Sequence, residues 1–312
     1  MQKQFDIVAL GELNIDLILN GICGFPEIGK EIIAQRCTMT LGSSTAIFAA
    51  NAAALGSRVA FLGLVGTDDF GAFIERSLRE RGVDTSMLLH TSEWNSGITV
   101  CMSYEQDRAN VTYPGSMDHM GLAQVQDTDF SLTRHVHISS LFLQEQLRRD
   151  IVPIVRKIKA AGATVSMDTQ WDPSEKWDAP WDELLPMLDV FMPNAQELTA
   201  LTGKASLDEA VDAVCGKVRA LVVKNGSKGS ILVSGGTRRE IPALLNPEPV
   251  DCIGAGDSFN AGFVSAFVKG LSLAECQDEG NLTGAISTTA AGGTGAFSSP
   301  EAIRKAAARF GK

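Results

Sequence analysis

The strongest constraint on this chain is a repeated alternation: over most of its 312 residues, short β-branched or apolar runs are separated by stretches of helical length and periodicity. This is the pattern of βαβ units and of a mainly parallel sheet, so an α/β fold is expected. The runs Ile7-Val8-Ala9-Leu10, Val59-Ala60-Phe61-Leu62, Val136-His137-Ile138, Thr164-Val165-Ser166-Met167, Val190-Phe191-Met192 and Leu221-Val222-Val223 read as strands. Helices are predicted at about residues 44–55, 69–81, 147–161, 206–216, 257–269 and 274–290. Runs this continuously apolar suit strands buried on both faces, because crossover helices cover both sides of a parallel sheet.

Two stretches break the rhythm. Residues 15–40 hold extended-looking runs, Ile15-Asp16-Leu17-Ile18-Leu19 and Glu31-Ile32-Ile33-Ala34, around the turn Gly24-Phe25-Pro26. Residues 97–113 look like a hairpin, with Ile98 to Tyr104 and Asn110 to Tyr113 flanking the polar turn Glu105-Gln106-Asp107-Arg108. Such strands can pair as a small separate sheet, a lid over chemistry that must exclude water, or can form an antiparallel edge of the main sheet. With no internal repeat and no convincing linker, residues 1–312 are expected to form one domain with the lid as insertions.

Composition narrows the function. Twenty-seven basic against 37 acidic residues give a formal net charge of −10, which argues against a nucleic-acid partner. No basic stretch leads into an apolar run at the N-terminus, and no stretch reaches the ~18 apolar residues of a membrane span, so a cytoplasmic protein is expected. The cysteines Cys23, Cys37, Cys101, Cys215, Cys252 and Cys276 form no C-x-x-C pair, which suggests neither a zinc site nor a disulfide framework. His135 and His137 alternate with Val136 in a predicted strand and are read as structural.

The most informative segment is Val250-Asp251-Cys252-Ile253-Gly254-Ala255-Gly256-Asp257-Ser258-Phe259-Asn260. A glycine-rich turn entering a helix aims successive N–H groups and the positive helix end at one point, an anion site. Asp257 is unexpected beside it. A carboxylate there can serve as a base that takes an acceptor's proton during phosphoryl transfer, or it can be a first-turn residue favoured by the helix dipole. Both readings stand on this segment alone.

Further motifs accompany it in order: Gly11-Glu12-Leu13-Asn14-Ile15-Asp16, Gly42-Ser43-Ser44-Thr45-Ala46-Ile47 running on to Leu55-Gly56, Val65-Gly66-Thr67-Asp68-Asp69-Phe70-Gly71, Arg81-Gly82-Val83-Asp84, Pro193-Asn194-Ala195-Gln196-Glu197, and Val223-Lys224-Asn225-Gly226-Ser227-Lys228-Gly229. Together they resemble the PfkB family, the ribokinase-like carbohydrate and nucleoside kinases, over the whole chain. The resemblance implies a three-layer α/β/α sandwich with a mainly parallel central sheet and a small β-sheet lid, and ATP-dependent phosphorylation of a primary hydroxyl. It implies Asp257 as base, with the amides of Gly254, Ala255 and Gly256 as the γ-phosphoryl anion hole. Asn14, Asp16, Gly42, Ser43, Ile47 and Asp251 would face or adjoin the substrate. Glu197 would hold Mg²⁺ through water, with Asn194 near the phosphates, and Lys224, Gly226, Gly229 and Asn281 would line the ATP site. The small-residue run Ser287 to Gly295 resembles a loop that binds K⁺ in several relatives, and family lids often pair across a homodimer.

The chain departs from the family pattern at the N-terminal signature, where Ser43 replaces a second glycine and Ile47 replaces an asparagine. An apolar wall in place of an amide means the acceptor need not be ribose. Ser44 stands where relatives carry lysine, which disfavours a phosphorylated acceptor, although Lys30, Arg36 and Arg108 keep that option open. Asn14 and Asp16 match and suit a polyol. The expected substrate is thus a small sugar. The alternatives are a nucleoside packed on Tyr104 and Tyr113, or a catalytically idle sugar-binding relative, which the intact Gly254 to Asp257 segment argues against. A dinucleotide oxidoreductase is disfavoured, since no G-x-G-x-x-G follows the first predicted strand.

Overall fold

The six predicted apolar runs supply six of the eight strands of one sheet, and two unpredicted strands complete it, in a computed structural model that describes residues 3–104 and 108–312. The expected turn residues Glu105, Gln106 and Asp107 lie outside the described residues, as does the side chain of Arg108. From edge to edge the strands are β14 (Thr237–Ile241), β13 (Ser230–Ser234), β12 (Ala220–Lys224), β11 (Val190–Phe191), β10 (Thr164–Met167), β9 (Thr133–Ile138), β1 (Phe5–Leu10) and β4 (Val59–Leu62). From β12 to β4 every pairing is parallel. The turn Asn225 to Gly229 then reverses the chain into β13, so β13 and β14 join antiparallel at one edge.

Side-chain alternation explains the layers. In β1, Val8 and Leu10 join one apolar cluster, which takes in α4 (Glu145–Ala160), α6 (Ala195–Thr202) and α7 (Leu207–Cys215). Ile7 and Ala9 point to the other, formed with α1 (Ser44–Ala54), α2 (Asp69–Glu80), α8 (Ala255–Val268) and α9 (Leu273–Ser287). Burial of Phe48 and Phe263 on this second face contributes on the order of 2–3 kcal/mol each. The single-turn helices α3 (Leu122–Val125) and α5 (Trp181–Leu184) close the first face, and α10 (Pro300–Ala308) packs beside α9 through Ala306 and Ile286. A short parallel pair, β5 (Leu64–Gly66) and β6 (Leu89–Thr91), flanks the core.

The rhythm-breaking stretches form a separate sheet and not an edge of the main one. Its order is β3 (Arg36–Leu41), β2 (Asn14–Asn20), β7 (Gly97–Ser103) and β8 (Arg108–Tyr113). The expected run Glu31 to Ala34 is not a strand; pairing of Asn20 with Arg36 begins β3 after it, leaving Ile33 exposed in the connecting loop. Period-two alternation gives this sheet two unlike faces. Thr40, Asp16, Thr99 and Thr112 form a polar row across all four strands, and Met39, Leu17, Val100 and Val111 an apolar row on the opposite face.

His135 and His137 are both buried. Ser166 Oγ bridges His135 Nε2 and His137 Nδ1 at 2.7 Å each, and Thr164 Oγ1 meets His135 Nδ1 at 2.8 Å. Desolvation holds both imidazoles neutral, His135 at about 3 and His137 well below its ordinary value. Among the described residues no helix is long and apolar enough to cross a membrane.

Candidate active site

The functional groups converge at the carboxyl ends of the parallel strands, where open α/β sheets leave a crevice. Glu12 follows β1, Asp168 and Gln170 follow β10, Asn194 follows β11 and opens α6, and Lys224 ends β12. Helix α8 points its first turn at the same place. Gly254 caps it at φ 71°, a left-handed backbone, and a Cβ there would sit 2.6 Å from Gly293 Cα, so glycine is required twice over. The amides of Gly256 and Asp257 lie in the first helical turn, which has no i−4 carbonyl to bond. Ala255 N–H instead meets the Cys252 carbonyl at 3.3 Å.

Asp257 is 5% exposed, and its Oδ1 accepts from Gln170 Nε2 at 3.0 Å. Burial, then the charge of Asp168, pushes its carboxyl well above the usual carboxylate range. The helix dipole, worth about 0.3–1 kcal/mol, opposes this shift and loses to burial. Lys224 Nζ is 3.7 Å from where a Gly256 Cβ would stand, so an ammonium faces the glycine-rich turn. Although burial works against its charge, Asp168 and Glu197 hold that ammonium above its ordinary pKa. Asp168 Oδ2 accepts from both Lys224 Nζ and Asn260 Nδ2, the latter one turn along α8 from Asp257.

Asn194 and Glu197 make a reciprocal cap on α6: Asn194 Oδ1 accepts Glu197 N–H at 2.8 Å, and Glu197 Oε2 accepts Asn194 N–H at 2.8 Å. The N-x-x-E motif is thus a helix cap in fact. Burial and the Asp168 charge push the Glu197 carboxyl up to about 7. Glu12 is buried too, raised by desolvation, and bonded by Thr45 Oγ1. A strained start to α1 supports it: Ser43 has φ 74°, stabilised by donating to the Glu12 carbonyl at 2.7 Å and accepting from Ala46 N–H at 2.9 Å.

Asn14 and Asp16 meet on the second sheet, where Asn14 Nδ2 donates to Asp16 Oδ1 at 2.9 Å and to Thr99 Oγ1 at 3.0 Å. Gly42 adjoins them so closely that a Cβ would lie 2.7 Å from Asn14 Nδ2. Asp251 ties the loop before α8 to the stretch after α9, its Oδ2 accepting from Gly292 N–H at 3.0 Å. Asn51 donates to the Gly293 carbonyl at 2.9 Å from the other side. Ile47 is buried with its methyls against Gly254 and Gly293, beside the start of α8. Asn281 accepts from Ser230 Oγ and donates to the Pro242 carbonyl, both at 2.9 Å, beside Gly229; Gly226 lies in the turn after Lys224. Tyr104 stacks on Phe25 with centroids 5.6 Å apart, while Tyr113 is half exposed in the row of Ile15 and Ile98.

Sequence reasoning missed Asp168, Gln170, Asn260, Thr99 and Thr112, and quoted Glu12 without assigning it a role. A usable signal existed for Asp168 and Gln170, since they are the first and third residues after a strand predicted to be parallel, at its carboxyl end.

This arrangement matches a known family. The model of the pfkB family carbohydrate kinases matches residues 4–300. The chain belongs to that family and is, by that membership, an ATP-dependent sugar kinase. It is 26% identical over 294 residues to a ribokinase of Haemophilus influenzae, covering 92% of this chain and 93% of the relative. It is 25% identical over 301 residues to the 2-dehydro-3-deoxygluconokinase of Bacillus subtilis, covering 93% and 91%. The structure of Arabidopsis thaliana ribokinase complexed with ribose and ATP superimposes with a TM-score of 0.83 at 24% identity, covering 98% of this chain and 99% of that one, which establishes the ribokinase-like fold.

Proposed function

We propose that the protein transfers the γ-phosphoryl group of ATP to a primary hydroxyl of a small, uncharged sugar. One observation carries the reading: a buried carboxylate, Asp257, sits in the same helical turn as a glycine-rich anion cradle that faces a largely buried ammonium, Lys224. A phosphate-binding turn has no use for that carboxylate; a transferase does. The acceptor oxygen bonds to the γ-phosphorus, its proton passes to Asp257, and the bond to the bridging oxygen breaks with ADP leaving on the electron pair. Gly254, Gly256 and Lys224 stabilise the charge on the transferring group, Ala255 joining them if its turn to Cys252 opens. Asn14, Asp16 and Gly42 bind the acceptor beside Ser43 and Asp251, while Gly226, Gly229 and Asn281 border the nucleotide.

The site fits Mg²⁺ carried in on the nucleotide: the charges of Asp168, Glu197 and Asp257 act on one ammonium, Lys224, a carboxylate surplus, and no group of three or more acidic, histidine or cysteine side chains among the described residues makes a protein cage of its own. Glu197 would hold the ion through water, with Asn194 beside it, and Mg²⁺ neutralises phosphate charge when bound. Carbonyls of Ser287 to Gly295, linked to the anion loop by Asp251, would take K⁺. The second sheet serves as a lid within one domain, and a homodimer through its exposed Met39 and Val111 belongs to the same reading, as does a cytoplasmic setting. The test is ADP release with ATP, Mg²⁺ and K⁺ over free sugars, keto-acid sugars, sugar phosphates and nucleosides. Turnover on a free sugar supports the reading; turnover on nucleosides alone replaces the acceptor, and silence throughout supports an idle relative.

A further inference from the structure

The loop after β10 is built with unusual care. Asp168 Oδ2 takes the Lys224 ammonium and the Asn260 amide. Four residues on, Asp172 ties a tight knot: its Oδ1 accepts Ser174 N–H at 2.8 Å and its Oδ2 accepts Trp177 N–H at 2.7 Å. Trp177 is buried, with edge contacts to Trp171 and Phe142 at 5.2 and 5.3 Å between centroids. Between these two anchors stands Gln170 at φ 56°, a left-handed conformation that costs a non-glycine residue of this kind about 1 kcal/mol or more. Strain of this kind persists when surrounding structure enforces it, and it clusters at functional sites. What it delivers here is specific: the Gln170 amide donates to Asp257 Oδ1 at 3.0 Å.

We infer that Gln170 is a positioning residue for the base: it fixes one carboxylate oxygen of Asp257, so that Oδ2 is the oxygen presented to the acceptor hydroxyl. This rests on Asp257 acting as the base. A buried carboxylate without a donor has two faults. It rotates about its terminal torsion, and it holds its proton. The groups facing Asp257 are Glu12 from the end of β1, Asp168 from the end of β10, Glu197 from α6 and Lys224 from β12, three carboxylates against one ammonium. Lys224 is itself engaged by Asp168, which leaves the Gln170 amide as a neutral donor aimed at the base itself.

The test is Gln170→Gly, chosen because glycine adopts the left-handed backbone without strain, so the variant keeps the loop while losing the amide. The expected result is an unchanged or raised melting temperature, an unchanged KM for ATP, kcat at neutral pH lowered about tenfold, and the acid limb of kcat/KM moved up by about one pH unit; a donor lost to a charged acceptor supports a change of that size. Gln170→Glu, which puts a fourth carboxylate beside the base, moves the limb further in the same direction. A merely structural Gln170 would lower the melting temperature and leave the limb in place. Asp257→Asn runs in parallel. If it is inactive while Gln170→Gly has the parent's pH profile, the positioning role falls and the base stands; if Asp257→Asn keeps turnover, both fall.

Discussion

Lys224 Nζ and Asp168 Oδ2 form an ion pair 2.5 Å long, with the carboxylate fully buried and the ammonium side chain 11% exposed. A pair this deep is weak evidence for net stability, since desolvation offsets its Coulombic gain, but removing one partner strands the other. It joins the end of β10 to β12 across the intervening β11 and holds the ammonium beside Gly256.

Asp168→Asn should therefore cost about 3–5 kcal/mol of folding stability, because Lys224 loses its counter-ion. Replacing both, Asp168→Leu with Lys224→Met, should recover much of that stability and none of the activity. Chemical denaturation of the two variants separates these effects; equal destabilisation by the single and double changes would show that the pair is not coupled.

Asp257→Asn should lower kcat by about 10²–10⁴, the usual worth of a general base, while ATP affinity changes only a few-fold. Turnover in the ADP-release assay and nucleotide binding by calorimetry are the paired readouts. In the parent, activity should fail as pH drops through a midpoint above the ordinary carboxylate range, because burial keeps Asp257 protonated longer.

Glu197 makes the linkage testable without catalysis. Its folded-state pKa, about 7, lies above the unfolded carboxylate value of 4.5. The folded state therefore binds the extra proton, and that stabilisation is full below pH 4.5 and lost as pH rises through 7. Glu197→Gln keeps an N3 cap side chain and removes the titration. Relative to this variant, the parent should lose on the order of 3 kcal/mol between those pH values, and parallel stability curves would falsify the assignment.

Gly254→Ala meets both a positive φ and the Gly293 backbone. It should destabilise by roughly 1–3 kcal/mol and abolish turnover, since relief of the clash opens the anion turn. Melting temperature and ATP binding should fall together; a variant that binds ATP normally would sever the turn from the nucleotide.

Asp16→Ala should raise the acceptor KM tenfold or more and leave that for ATP unchanged, since Asp16 lies with Asn14 on the second sheet, beside Gly42, and not on the Asn225 to Gly229 turn. Initial rates with each substrate varied in turn measure this.

Local physics was legible in the chain itself. Apolar runs continuous enough for burial on both faces marked the six parallel strands of the main sheet, and glycines before Asp257 marked a turn entering a helix, because backbone propensity and amphipathic period act over neighbouring residues. The run Glu31 to Ala34 misled because its apolar side chains fit a strand, whereas pairing register, set by distant partners, begins β3 only at Arg36. Gln170 reaches Asp257 across 87 positions, and Asn260 reaches Asp168 across 92. Only the tertiary structure decided these contacts, and with them the raised proton affinities of Asp257 and Glu197. Desolvation and charge crowding belong to a place in space, and the chain reaches that place only when its strands lie side by side.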